Sequence, residues 1–167
     1  DAERAVAPPA LAQVQLDRVF TDVFATLGEA DAAALAAGSE PDPAAARQAA
    51  VDMFAPRVVG PAAAMRAAQY TLAGQAGGEA LTLLPAGQQT VIDPLAQDWP
   101  RVLMAVSEVP EDLRAPLLLT FVQEAPREPY RLWSWQRLFG GVQMPATMHP
   151  QTGSEVVPGD QVGTAAL

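Results

Sequence analysis

The hydrophobic pattern of this chain changes character at Gly77-Gly78. Before that pair, apolar residues recur at spacings of three and four. After it, they gather into short runs of Val, Leu and aromatics bounded by Pro, Asp or Glu. The first pattern gives a helix one apolar face, and the second suits strands. Helices first and strands afterwards predict an α+β fold, not the alternation of a doubly wound sheet.

The clearest helix carries Leu16, Val19, Phe20, Val23, Phe24 and Leu27 as one stripe, with Asp17, Arg18 and Asp22 on the other side. Phe20, Phe24 and Leu27 are expected to pack on the sheet. Gly28 reads as a break before an Ala-rich piece over 29–37 that Gly38 closes. Asp42-Pro43 pairs an N-cap with a proline at the first helical position, so a helix runs from there to about Phe54, where Pro56 stops it. Gly60-Pro61 repeats the start signal for a third segment ending near Gly74. In it Met65, Ala68 and Leu72 point one way, while Arg66 and Tyr70 share an adjacent face.

Strands are predicted over 81–84, 88–92, 101–109, 116–123 and 130–139. The connections 110–115 and 124–129 are short enough for antiparallel neighbours. Such a sheet twists and curls, so the helices are expected on a curved, cone-like antiparallel sheet with a pocket at its open end. One α+β domain then covers 10–145. Residues 1–9 read as a linker and 146–167 as an irregular tail. Opening on Asp1 reads as an excised piece of a longer chain.

Composition narrows function by removal. Of the 167 residues half are apolar, but 34 are Ala, so the large apolar side chains suffice for one core. A net charge of −9 disfavours nucleic acid and anionic lipid as partners. The absence of Cys takes away disulfides, thiolate catalysis and zinc–thiolate sites, and a single His leaves little for imidazole ligation. All ten basic residues are Arg, which reads as codon bias, and without Lys there is no Schiff base or phosphate-loop lysine. No cofactor and no metal site is expected. No apolar run approaches the roughly 18 residues of a membrane span, so this segment does not insert directly.

Two constellations remain. Arg66 offers a planar fork for a carboxylate or phosphate, and Tyr70, one turn on, adds a donor and a wall. They either bind a ligand or pair internally, Arg66 with a carboxylate and Tyr70 in the seam between helix and sheet. Arg131, Trp133, Trp135 and Arg137 alternate along one predicted strand face. They form either a partner surface, since interface hot spots favour Trp and Arg, or ordinary packing. Trp99 reads as an anchor at one end of the core. Glu108, Glu111 and Asp112 crowd one turn but lack the spacing of a calcium loop.

Several fixed runs support a resemblance. They are Val58-Val59-Gly60-Pro61-Ala62 with Arg66 and Tyr70, Trp99-Pro100-Arg101-Val102, and Ala125-Pro126-Arg127-Glu128-Pro129-Tyr130-Arg131-Leu132-Trp133-Ser134-Trp135. Leu138-Phe139 and Met144-Pro145 follow. On these the chain resembles an uncharacterised domain of actinobacterial exported proteins, often lipoproteins. In element order it resembles the nuclear transport factor two-like, or cystatin-like, α+β cone superfamily.

The narrower likeness implies export, tethering of the parent protein to the cell membrane through parts not present here, and a further domain after the tail. The broader one includes isomerases, dehydratases and epoxide hydrolases with an Asp, His or Tyr acid or base in the pocket. Here the sole His, His149, falls in the tail. The reading is therefore a non-catalytic, extracytoplasmic interaction module that meets a protein partner or a sister domain. The alternative is a small-molecule or enzymatic pocket built on Arg66 and Tyr70.

Overall fold

A computed structural model describes residues 12–93, 98–112 and 114–139. The linker at 1–9, Met144-Pro145, His149 and the tail at 146–167 lie outside the described residues. Three helices come first: α1 (Gln13–Ala36), α2 (Pro43–Phe54) and α3 (Gly60–Ala76). Four strands follow: β1 (Gln88–Ile92), β2 (Arg101–Ser107), β3 (Leu117–Gln123) and β4 (Arg131–Arg137). They form one sheet in the order β1-β2-β3-β4, every neighbour antiparallel. The fold is α+β.

α1 buries Leu16, Phe20, Val23, Leu27, Ala30 and Ala34, a seam spaced four, three, four, three, four. Its larger members join Leu103, Leu117, Leu119, Phe121 and Leu132 of the sheet in one core. Phe20 meets Phe121 edge-on at 5.4 Å between ring centroids. Phe24 is half-buried at the core margin.

The break expected at Gly28 does not occur, and α1 continues to Ala36. A helix-interior glycine costs about 1 kcal/mol relative to alanine. Continued burial of Ala30 and Ala34 on the same seam offsets that. α2 starts as expected, with Asp42 Oδ1 accepting from the Ala44 and Ala45 amides at 3.1 Å each.

Residues 81–84 are not a strand, and the sheet begins at Gln88. The physical reason lies in α3, whose side chains take the Thr82 backbone groups that a sheet partner would otherwise satisfy. Gln69 Oε1 accepts from the Thr82 amide at 3.3 Å, and Arg66 Nη2 donates to the Thr82 carbonyl at 3.1 Å. Residues 81–87 instead run as an irregular strap into β1.

β4 also departs from simple alternation. In its pairing with β3, Thr120 faces Ser134 and the adjacent Phe121 faces Leu132, so Trp133 is an extra, bulged residue. The bulge shifts the phase by one. Leu132 and Trp135 both turn inward, and Trp133 turns out. On its other side β4 is tied to the α2–α3 connection. The Val59 amide donates to the Leu132 carbonyl at 2.9 Å, and the Leu132 amide to the Arg57 carbonyl at 2.8 Å.

Candidate functional site

α3 has one charged residue in seventeen, Arg66, and turns it inward. Its buried face is Ala62, Arg66, Tyr70 and Ala73, at helical spacings of four and three. Arg66 is 1 % exposed and Tyr70 fully buried. A buried guanidinium needs partners on all sides. Nη1 donates to Gln69 Oε1 at 2.9 Å, and Nη2 donates to the Thr82 carbonyl. Nε lies 3.5 Å from Asp31 Oδ1, an ion pair without a hydrogen bond. The guanidinium lies over the inward-facing Trp135, its Cζ 5.1 Å from the ring centroid. Gln69 Nε2 also donates to Thr82 Oγ1 at 2.8 Å, so all three polar groups of Thr82 are held from α3.

Tyr70 donates its hydroxyl proton to the same Asp31 Oδ1, at 2.7 Å. Its ring stands edge-on to Phe54 at 5.8 Å. Arg66 and Tyr70 therefore converge on one carboxylate from α1, as the internal-pairing alternative requires. Burial lifts the Asp31 carboxyl above its ordinary value, against the opposing pull of Arg66 and of the Tyr70 hydrogen bond. Burial lowers the Arg66 guanidinium, while Asp31 and Tyr70 pull it back up. Tyr70 rises by burial first, then by its hydrogen bond to Asp31 and the charge of that residue.

Asp31, Gln69 and Thr82 went unremarked in the sequence. The available signal was an acid inside an Ala-rich helical run, flanking the apolar seam. Asp31 also lines a groove of about 510 Å³ between α1 and the strap, walled by Leu27, Leu35, Leu81 and Leu84. Arg66 and Tyr70 lie behind Asp31 and do not line that groove.

The four-residue surface on β4 needs correcting. Trp133 and Trp135 do not share a face, because of the bulge. Trp135 is 6 % exposed and serves as a shelf for Arg66, whereas Trp133 is 45 % exposed. Arg131 pairs with Glu124 and with Glu128, the latter at 3.8 Å. Arg137 pairs with Asp112 at 3.5 Å and donates to the Ala115 carbonyl at 3.1 Å. The Trp133 indole sits over Gly60, the first residue of α3. A Cβ at Gly60 would lie 2.6 Å from the indole Nε1, and its φ of +58° favours glycine independently.

The outward face of α3 carries Pro61, Ala64, Met65, Ala68 and Leu72, all exposed. Trp133 stands at the N-terminal end of this stripe. Elsewhere, Arg101 stacks on Trp99 at 4.4 Å from its ring centroid. Asp112 pairs with Arg114 as well as Arg137, and among the described residues no three His, Cys, Asp or Glu gather as metal ligands. No described helix is long and apolar enough to cross a membrane.

The fold defines an α+β protein with helices on an antiparallel meander and, between α1 and α3, a buried Arg66–Tyr70 pair on the half-buried Asp31. Comparison with protein-family models, with curated proteins and with solved structures gave no match.

Proposed function

We propose that this domain is a non-catalytic, extracytoplasmic interaction module of a larger cell-envelope protein. A protein partner or a sister domain of the same chain docks on the outer stripe of α3, with Trp133 at its end. The observation that carries this reading is the charge distribution of α3. Its one charge is buried, and Met65 and Leu72 on the outer face are 44 % and 54 % exposed. Scattered surface apolar residues are ordinary. A charge-free helical stripe that carries an exposed Met and ends in an exposed indole shares the charge depletion and the Met and Trp enrichment of interface cores. Arg131, held by Glu124, serves at the rim. The pairing of Arg66 and Tyr70 with Asp31 supports the non-catalytic half, because both polar groups are committed inside the fold. The net charge of −9 favours solubility of an exported domain. Tethering to the membrane falls to parts of the parent protein outside this chain.

The test is capture from envelope extracts of the parent organism, repeated with Trp133→Ala and with the double variant Met65→Gln, Leu72→Gln. Variants that melt like the wild type are expected to lose a partner that the wild type retains. If both folded variants capture every wild-type partner, this docking face is wrong.

A further inference from the structure

We infer that the groove beside Asp31 binds a small, largely apolar molecule bearing one uncharged hydrogen-bond donor, of the aliphatic alcohol class. No residue of the outer α3 stripe lines it, so the inference stands apart from the docking reading.

The first argument is space. At about 510 Å³ the groove falls within the range of about 300–1,000 Å³ typical of small-molecule sites. Leu27, Leu35, Leu81 and Leu84 make its walls apolar. Gly28 borders it, exposed, in the interior of a 24-residue helix. Glycine is the poorest helix former apart from proline. Its usual excuses are a left-handed backbone or a close neighbour. Gly28 has neither, since its φ is not positive and a Cβ there would meet nothing within 4 Å. The open space at its Cα adjoins the groove.

The second argument is charge. Asp31 is the only ionisable residue among those lining the groove. Its contacts fall on Oδ1, which takes the Tyr70 hydroxyl and lies beside Arg66. Acceptor capacity on the other oxygen remains, and the side chain is 25 % exposed. Arg66 already balances the Asp31 charge. A ligand ammonium would add a second cation beside a buried guanidinium, and a ligand carboxylate would be repelled by Asp31. A hydroxyl donates to Asp31 and leaves the local charge unchanged. The same polar cluster holds the far wall, because Arg66 and Gln69 fix Thr82 between Leu81 and Leu83. The acceptor and the wall are thus set before a ligand arrives, which lowers the ordering cost of binding.

The test uses a matched eight-carbon series, 1-octanol, octylamine and octanoate, each titrated below its aggregation concentration. Amide chemical shifts of the whole protein report the site. 1-Octanol is expected to shift Gly28, Leu81 and Leu84 saturably, with octylamine and octanoate at least tenfold weaker. Gly28→Leu adds a bulky side chain to the groove's lining while improving the helix, so it is expected to melt no lower than wild type and to lose the octanol response. Three results each overturn the proposal: no saturable octanol shift, equal affinity for the three head groups, or an undiminished octanol response in Gly28→Leu.

Discussion

α1 and α3 lie in the same helical layer yet bury opposite chemistries. α1 turns a seam of Leu, Phe, Val and Ala inward and leaves Asp17, Arg18 and Asp22 at the surface. α3 turns Arg66 and Tyr70 inward and leaves Met65 and Leu72 outside. The difference shows what apolar periodicity decides. In α1 the large apolar side chains sit on one stripe, so burying them fixes the rotation of the helix. In α3 seven of the seventeen residues are Ala, spread around the helix, so transfer from water discriminates little between faces. Specific polar partners then set the rotation: Asp31 from α1, Thr82 from the strap and the Trp135 face from β4.

The largest expected effects test whether these two cores matter equally. Phe20→Ala should cost about 3–5 kcal/mol through lost burial and a cavity against Phe121. Arg66→Ala should cost about 3–5 kcal/mol for a different reason, since it leaves Asp31 without its counter-charge and the Thr82 carbonyl without its donor. Equilibrium urea unfolding of both variants measures the pair. An Arg66→Ala loss below about 1 kcal/mol would mean that packing alone orients α3.

Tyr70→Phe keeps the ring against Phe54 and removes only the donor to Asp31. It should cost about 1.5–3 kcal/mol, the range for a hydrogen bond to a charged group. The same unfolding assay reads it. A neutral result would assign the α1–α3 link to Arg66 alone.

The tyrosines add a pH arm. Tyr70 and Tyr130 are the chain's two tyrosines, and burial raises both. Tyr130 moves from an ordinary 10.0 to about 12, helped by Asp93 and opposed by Arg101. The native state therefore keeps this proton longer than the unfolded chain does. The stability it contributes is whole below pH 10.0 and is lost as pH rises towards about 12. Phenolate absorbance is expected to stay flat through the ordinary tyrosine range and to rise together with alkaline unfolding. Early titration of one tyrosine in the folded protein would contradict the burial of that ring.

The smallest effect falls on the outer face of α3. Met65→Gln with Leu72→Gln should change stability by no more than about 0.5 kcal/mol, because neither side chain is in the core. Thermal unfolding checks this. A larger loss would place that face within the domain's own packing.

Much of the architecture was legible in the sequence because its signals are local. Asp42-Pro43 sets the start of α2 with no help from the rest of the chain. The spacing of Leu16, Phe20, Val23 and Leu27 orients α1, and the strands 101–109, 116–123 and 130–139 fall close to β2, β3 and β4. Only the tertiary structure decided the rest, and each instance is a long-range competition. Gly28 stays helical because Ala30 and Ala34 bury beyond it. Residues 81–84 leave the sheet because Arg66 and Gln69 take the backbone groups of Thr82 in their midst. The two-residue repeat of β4 fails because one bulge at Trp133 sends the two indoles to opposite sides, one beneath Arg66 and one over Gly60. Sequence spacing carries the period of an element, but its rotation and phase depend on partners that lie far away along the chain.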